Sequence, residues 1–186
     1  MKNIFKALRP VIVSFLLLTI ICGIIYPGIV TGFAQLFFPN QSNGSIITIE
    51  LKDGSKKDIG SELIAQEFTK PVYMIGRPSG TTNLSPVSEK LQKLIEERTK
   101  WWQTFDPENK KDIPMDLVTG SGSGVDPNVS PEAAAYQISR IARERQISED
   151  SVKAIIEKYT TGRLLGIWGE PSVNVLKVNL ALDGLL

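Results

Sequence analysis

The sequence contains no histidine and a single cysteine, Cys22, among its 186 residues. Without histidine, the chain cannot form a Ser-His-Asp or Cys-His catalytic site, or a zinc site with histidine ligands. Cys22 lies inside a long apolar run, so the rest of the chain has no disulfide to brace it. These absences exclude several common hydrolytic sites and leave packing as the force that must hold a folded domain together.

Charge is also missing from one stretch near the start of the chain. Residues 11–32, which number 22, include no aspartate, glutamate, lysine or arginine. A helix of that length rises roughly 33 Å, enough to cross the ~30 Å hydrocarbon core of a bilayer. Basic residues precede the run (Lys2, Lys6 and Arg9), and no charge follows it until Glu50. The positive-inside rule therefore predicts a cytoplasmic N-terminus and export of everything after the helix.

A cleaved signal peptide and a lipoprotein signal both fit this apolar run less well. The apolar region of a signal peptide has about 7–15 residues and ends in a small-residue cleavage site. This run is longer and lacks such a site. A lipoprotein signal requires a small residue before the modified cysteine, but Cys22 follows Ile20 and Ile21. We therefore expect a retained, single-pass membrane anchor.

One proline and three glycines mark the membrane helix. Pro27 lacks a backbone donor and is expected to kink the helix or change its direction. Gly23, Gly28 and Gly32 leave flat patches where another membrane helix can approach closely, although glycine is common in membrane helices in general. These glycines are the first candidate contact residues.

The rest of the chain has the composition of one compact exported domain. We expect a cytoplasmic segment at residues 1–10, the helix at 11–32, a connector at 33–44 and a domain at 45–186. About 150 residues suffice for a proper core. Beyond the first ten residues the chain has 18 basic and 20 acidic residues. This balance argues against nucleic acid as a partner.

Local patterns predict an α/β domain with a mainly antiparallel sheet flanked by helices. β-Branched residues at 45–51 and an Asp-Gly pair before 56–59 predict a hairpin. The alternation of apolar and polar residues at 173–182 predicts a central strand. Helical spacing and capping residues predict helices at 61–68, 86–105, 130–145 and from Ser148 to Gly162.

The glycine-rich segment at 120–124, GSGSG, matches none of the familiar catalytic loops. A phosphate-binding loop needs Lys-Ser or Lys-Thr after its last glycine, and Val125-Asp126 follows here. A nucleophile elbow needs Gly-x-Ser-x-Gly, but the residue two after Gly120 is Gly122. Val125 also stands where the dinucleotide pattern has its third glycine. The segment is therefore either a plain connection or a hydroxyl-rich loop that binds a polar partner group.

Charged residues in or near loops leave two interpretations open. Acidic residues are ordinary in turns and helix caps, although several together could suggest a cation site. Arg77 could form a structural ion pair or contact a partner. The same alternatives apply to Arg163, which lies near Glu170. The acidic residues concerned are Asp116, Asp126, Glu132 and Glu170.

Four sequence blocks, taken in order, resemble one family over nearly the whole chain. They are YPGIVTGFAQLFFPNQSNGSI at and after the membrane helix, LIAQEF with GRPS and NLSP, DLVTGSGSGVDPNVSPEAAAYQISRIA, and GRLLGIWGEPSVNVLKVNLALD. The third and fourth blocks are long and unusual. Through these blocks the sequence resembles the KdpC family, the C subunits of bacterial Kdp potassium-transporting ATPases.

The resemblance implies an accessory subunit of the bacterial cytoplasmic membrane and not an enzyme acting alone. The family works with a channel-like subunit that selects potassium, a P-type subunit that hydrolyses ATP through an aspartyl phosphate, and a very small membrane peptide. It is described as a catalytic chaperone that raises the nucleotide affinity of the ATPase subunit. No Asp-Lys-Thr-Gly phosphorylation sequence occurs here. ATP and potassium are therefore implied for the complex, and no metal, cofactor or catalytic residue is predicted for this chain.

The resulting hypothesis assigns a contact role to the helix and to two polar loops. The helix is expected to dock on the channel-like subunit through its glycine face, and the outer domain to pack over the extracellular mouth. The loops at 77–83 and 119–126 are the candidate contact segments. Besides the three glycines, the candidate contact residues are Arg77, Ser79, Asn83, Ser121, Ser123, Asp126 and Glu170.

Two further classes of function remain open on the sequence alone. A membrane-anchored exported enzyme would need a set of reactive residues, which the lack of histidine makes hard to assemble. A stand-alone ligand-binding or sensor module would need a signalling partner, yet only about ten residues are expected in the cytoplasm.

Overall fold

A computed structural model of the chain describes residues 2–51 and 53–186. The chain divides into two compact units, one ending at Ile46 and one spanning Ile47–Leu186. The first unit is helical, and the second combines helices with small sheets.

The first unit contains one long apolar helix. From Leu8 to Phe37 the chain is helical over 30 residues, and none of its most apolar window is buried inside the protein. That length corresponds to about 45 Å, which exceeds the ~30 Å core of a bilayer. The helix is a candidate membrane span and brackets the predicted run at 11–32. Its parts are α1 (Lys2–Ile20), a π-helical stretch (Ile21–Ile25) and α2 (Tyr26–Phe37), and a short helix follows, α3 (Pro39–Ser42).

Pro27 lies in the first turn of α2, directly after the π-helical stretch. In a regular α-helix its missing N–H would leave the carbonyl of Gly23 unpaired, and its ring would crowd that carbonyl. A wider π turn ahead of the proline relieves this conflict without ending the helix. The structure therefore has a change in helical winding directly ahead of Pro27.

The second unit consists of short strands separated by five helices within its described part. Two strands, β1 and β2, form one small sheet, and three others form a second sheet in the order β3-β5-β4. The elements are β1 (Ile46–Glu50), β2 (Lys56–Ser61), α4 (Glu89–Phe105), a 3₁₀ turn (Met115–Leu117), β3 (Asn128–Val129), α5 (Pro131–Tyr136), α6 (Ile138–Arg145), α7 (Glu149–Lys158), β4 (Thr160–Thr161), β5 (Ser172–Asn174) and α8 (Val175–Leu182).

The three-stranded sheet is antiparallel throughout and has β5 at its centre. Asn128 and Val129 pair with Asn174 and Val173, and Val173 also lies opposite Thr160. The predicted α/β class with antiparallel strands is consistent with this arrangement. The strands are shorter than expected, so helices provide most of the regular structure of this unit.

The predicted helix at 61–68 is wrong. After β2 the chain runs without regular structure, and Ala65 donates its N–H to the carbonyl of Val125 at 2.8 Å. The side chain of Gln66 donates back to the carbonyl of Ile59 at 3.1 Å. Hydrogen bonds to distant and preceding segments thus replace the local ladder that the spacing suggested.

The predicted strand at 173–182 is correct only for its first residues. Asn174 ends the strand and caps α8, because its side chain accepts a hydrogen bond from the Lys177 N–H at 3.0 Å. Val175, Val178 and Leu182 then share a helical face at spacings of three and four. The apparent alternation was therefore a helical pattern of buried residues that begins right after a central strand.

Serine caps three helices, as predicted for Ser130 and Ser148, while the helix predicted from residue 86 begins only after Ser88. The hydroxyls of Ser88, Ser130 and Ser148 each accept a hydrogen bond from a backbone N–H three residues later. The predicted helix at 130–145 is interrupted at Gln137, where α5 gives way to α6.

The core of the second unit lies among α4 to α8 and the three-stranded sheet. Trp102 is almost fully buried, and its indole N–H donates to the carbonyl of Leu117 at 3.0 Å. Tyr136 meets the Trp102 ring edge-on at 5.7 Å between centroids. The neighbouring Trp101 is 45% exposed and stacks on Phe105 instead. Buried residues of this core include Met74, Val129, Ala133, Ala134, Ile141, Val152, Val173 and Val178.

Candidate functional site

The two polar loops chosen from the sequence lie against each other in the second unit. The N–H of Gly80 donates to the carbonyl of Gly124 at 3.1 Å. Gly124 has φ +73°, and a Cβ there would lie 2.8 Å from backbone atoms of Gly80 and Thr81. A Cβ on Gly120 would lie 2.9 Å from the Gly80 carbonyl oxygen. Glycine therefore allows the backbones of the 77–83 and 119–126 loops to touch.

Arg77 ties the two loops to the rest of the unit. Its Nη2 lies 2.6 Å from Asp116 Oδ1, and its Nε lies 3.6 Å from Asp126 Oδ2. Asp116 Oδ2 also accepts a hydrogen bond from the N–H of Ser130 at 2.7 Å. All three charged side chains are at least partly buried. Of the two interpretations left open for Arg77, the structure shows the structural ion pair, with Asp116 and Asp126 as its partners.

The serines of the GSGSG segment shape the loop from within. Ser121 Oγ accepts a hydrogen bond from the Gly124 N–H at 2.9 Å, and Ser123 Oγ accepts one from the Val125 N–H at 3.3 Å. The two hydroxyl oxygens lie 3.3 Å apart. These contacts give the loop a defined conformation, in contrast to a flexible linker.

Polar groups remain exposed at the tips of the two loops. Ser79 and Asn83 are exposed, and so is Ser123. Within residues 2–51 and 53–186, no side-chain hydrogen bond of Ser79 or Asn83 is present. The tips therefore combine a fixed backbone with donors and acceptors that face water, which suits the recognition of a polar partner group.

A cavity of about 270 Å³ lies beside these loops. Arg77 and Asp126 contribute to its wall together with Arg98, whose Nη1 donates to the carbonyl of Val118 at 2.8 Å. The remaining wall is largely apolar and aromatic, with contributions from Ile64, Phe68, Ile75, Trp101, Trp102 and Leu176.

Three buried polar side chains hold the segment that leads into Arg77. Gln137 pairs with the backbone of Ile75, accepting from its N–H at 2.8 Å and donating to its carbonyl at 2.9 Å. Asn179 does the same for Met74, at 2.7 and 2.9 Å. These amides imitate the pairing of a neighbouring strand, so residues 74 and 75 are fixed although they belong to no sheet.

Arg140 is the third of these side chains and has no exposed surface. Its guanidinium donates to the carbonyls of Pro71 and Tyr73 and to Gln137 Oε1, and it lies over the ring of Phe105 at 4.9 Å. Burial lowers the pKa of Arg140 to about 10, and the charge of Asp106 opposes that shift.

Sequence reasoning missed this buried polar group. The sequence did contain a signal for it. Gln137 and Arg140 share a helical face with Ala134 and Ile141, which indicates that their side chains point toward the core. Asn179 was hidden because its segment was assigned to a strand.

Glu170 lies in a different loop from the other candidates. Its carboxylate pairs with Arg163 at 2.8 Å, and both side chains are largely exposed. The structure therefore shows an ion pair between these two residues. Glu132 lies in the first turn of α5, as expected of an acidic residue near a helix start.

The membrane-helix glycines are open to contact. Apart from the backbone of the helix itself and the adjacent residues, no heavy atom of the described chain lies within 4 Å of a Cβ built on Gly23, Gly28 or Gly32. Gly28 and Gly32 are four residues apart in α2 and share a face, whereas Gly23 lies in the π-helical stretch.

The described residues include no group of three or more histidine, cysteine, aspartate or glutamate side chains that could hold a metal ion. At the paired loops the carboxylates of Asp116 and Asp126 pair with Arg77, and the serine hydroxyls accept hydrogen bonds from backbone N–H groups.

Comparison with known proteins covers almost the full chain. The family model described as "KdpC: K+-transporting ATPase, c chain" matches residues 8–184. A potassium-transporting ATPase KdpC subunit of Listeria monocytogenes serotype 4a is 55% identical over 188 residues, covering 100% of this chain and 99% of that protein. The corresponding subunit of Clostridium perfringens is 48% identical over 97% of this chain and 98% of its own length, and that of Dechloromonas aromatica is 44% identical over 96% and 97%. The chain therefore belongs to the KdpC family of potassium-transporting ATPase subunits.

Proposed function

We propose that this chain is the accessory subunit of a high-affinity, ATP-driven potassium uptake pump. It stabilises a complex that contains a channel-like potassium-selective subunit, an ATP-hydrolysing P-type subunit and a small membrane peptide. Membership of the KdpC family supports the complex as the setting. The observation that carries the accessory role is the pair of rigid polar loops, whose tips expose hydrogen-bonding groups.

The charge pattern supports one orientation in the membrane. Lys6 and Arg9 precede the apolar helix, and Glu50 is the first charged residue after it. The positive-inside rule then places the N-terminus in the cytoplasm and the second unit outside. In this orientation the paired loops belong to the entry side of the pump.

The helix supplies the first contact of the proposed assembly. Gly28 and Gly32 present a flat, open strip on α2, and Gly23 adds a third opening in the π-helical stretch. Small residues allow two membrane helices to approach closely, and van der Waals packing then holds them. We assign this strip to the channel-like subunit.

The paired loops supply the second contact. Arg77 and its two aspartates fix the base of the loops, while Ser79, Asn83 and Ser123 leave polar groups at the tips. A rigid base lowers the entropy lost on binding, because the loops need no reordering. We assign the tips to the rim of the extracellular mouth of the channel-like subunit.

Any effect on ATP affinity must then be indirect. ATP binds on the cytoplasmic side, whereas the proposed orientation puts the second unit outside. The chain can raise the ATP affinity of its partner if it favours one conformation of the membrane helices. Two distant sites are coupled when contacts at both of them stabilise the same conformation.

Replacing Gly28 with leucine tests the helix contact. The added side chain fills the strip, so recovery of the channel-like and ATP-hydrolysing subunits with a tagged chain is expected to fall, together with potassium-stimulated ATPase activity. Val30→Leu is the matched control, because it adds bulk on another face of the same helix. Normal recovery with Gly28→Leu would refute the docking face.

The cavity beside the loops favours a second candidate function. A stand-alone, membrane-anchored ligand-binding module would use its apolar wall together with Arg77 and Arg98. A chain that purifies without the other subunits, and whose removal leaves potassium-stimulated activity unchanged, would favour this alternative.

A further inference from the structure

The connection between β4 and β5 carries an apolar tip that takes no part in the glycine strip or the paired loops. The tip closes as a tight turn, in which Leu164 and Trp168 exchange two backbone hydrogen bonds at 2.7 and 3.0 Å. At its base Arg163 and Glu170 form an ion pair at 2.8 Å. We call the four large apolar side chains of this turn the apolar tip: Leu164, Leu165, Ile167 and Trp168.

All four side chains of the apolar tip are exposed. Its four side chains retain 67%, 78%, 74% and 65% of their accessible surface, in sequence order. Together they expose on the order of 500 Å² of side chain, which matches the largest apolar patch of a typical monomer and exceeds what scattered surface residues account for. A patch of this size is often a functional contact surface.

The backbone holds the tip in one shape. Leu165 has φ +53°, a left-handed conformation that a bulky L-residue rarely adopts, and Gly166 and Gly169 have φ +75° and +82°. The turn projects from β5, the central strand of the sheet, so its base is fixed by pairing on both sides. A fixed, protruding shape suits a concave protein surface, whereas a fluid bilayer imposes no such shape.

The charges near the tip also favour a protein over a lipid surface. Arg163 is neutralised by Glu170, and no other charge occurs between them. Beyond its first ten residues the chain has 18 basic and 20 acidic residues. Loops that bind anionic membranes carry a surplus of basic residues, which is missing here.

We infer that the apolar tip inserts into an apolar pocket with a polar rim on another subunit of the same potassium-transporting ATPase. The inference rests on the proposed function, which supplies the partner. Within that contact Ile167 and Trp168 form the energetic centre, because large, desolvated side chains near the middle of an interface dominate binding. Arg163 and Glu170 belong to the polar rim.

The test measures binding of the full chain, in detergent, to the remaining subunits of the complex purified without it. Trp168→Ser and Ile167→Ser are each expected to weaken binding at least about tenfold. Val87→Ser is the matched control, because Val87 is 83% exposed and lies outside the tip; it is expected to bind within about twofold of the unchanged chain. Trp168→Phe is expected to retain most of the affinity. Unchanged melting of each variant excludes misfolding.

The outcomes separate the inference from the proposed function. If the unchanged chain does not bind the other subunits, the proposed function fails. If it binds and the tip variants bind equally well, the proposed function stands and the inference is overturned. Self-association that is lost in Trp168→Ser would also overturn it, since the tip would then face a second copy. Quenching of tryptophan fluorescence by brominated lipids that persists in the assembled complex, and is lost in Trp168→Phe, would overturn it as well, since the tip would then face the bilayer.

Discussion

Gly124→Ala tests whether the two polar loops form one rigid site. The left-handed backbone at Gly124 costs an alanine about 1–2 kcal/mol. Its Cβ would also lie 2.8 Å from backbone atoms of Gly80 and Thr81, which must then move apart. Overpacking of this kind costs about 1–3 kcal/mol. We therefore expect a loss of about 3 kcal/mol in the free energy of unfolding.

Thermal unfolding of the full chain in detergent measures this loss. Near-ultraviolet circular dichroism reports on the buried Trp102 in the second unit. A loss of about 3 kcal/mol corresponds to a Tm lower by roughly 10 °C for a unit of this size. The same variant should also weaken recovery of the other subunits, because the loop tips lose their fixed positions.

Gly122→Ala is the matched control within the same loop. No heavy atom lies within 4 Å of a Cβ at Gly122. Its Tm is therefore expected to stay within about 2 °C of the unchanged chain, since surface substitutions away from special features alter stability little. Equal Tm values for the two variants would refute the reasoning, because they would show that the approach of Gly124 to Gly80 carries no strain or contact.

Three further perturbations address the buried polar group and its surroundings. Arg140→Met leaves buried carbonyls unpaired and is expected to cost about 2–4 kcal/mol in urea unfolding, whereas the exposed Arg163→Met should cost under about 1 kcal/mol. Asn179→Leu removes two backbone pairings and is expected to cost about 2–4 kcal/mol, while equal midpoints for variant and unchanged chain would contradict its strand-like role. The hydrogen bond to Asp183 raises the pKa of Tyr73, so its hydroxyl stays protonated to a higher pH in the folded state than in the unfolded state. The free energy of unfolding therefore falls as pH rises above about 10. Tyr73→Phe should reduce this alkaline loss, and an unchanged pH slope would contradict it.

Sequence patterns predicted the elements whose causes are local. The apolar helix, the serine caps of α5 and α7 and the strands β1 and β2 follow from neighbouring residues alone. The segment at 61–68 failed because its hydrogen bonds go to Val125 and Ile59, which no local window includes. Tertiary contacts override helical spacing in such a case.

Part of the candidate site was predictable because its turns depend on local composition. Turn composition identified both polar loops, since glycine and serine are needed wherever a loop is tight. It could not show that Arg77 joins Asp116 and Asp126, which lie 39 and 49 positions later in the sequence. The burial of the Gln137 amide and of the Arg140 guanidinium was also not predicted, because glutamine and arginine are mostly exposed in folded proteins.

The π-helical stretch at Ile21–Ile25 affects the direction in which the second half of the membrane helix faces, as well as the length of that helix. A π turn holds one residue more than an α turn that covers the same rotation. Deleting one residue from this stretch would therefore restore regular α-helical winding and leave Gly28 and Gly32 facing the same direction. A deletion between this stretch and Gly28 would instead turn both glycines by about 100° around the helix axis. The widened turn is thus the one place ahead of the glycine strip where the chain can lose a residue without turning the strip.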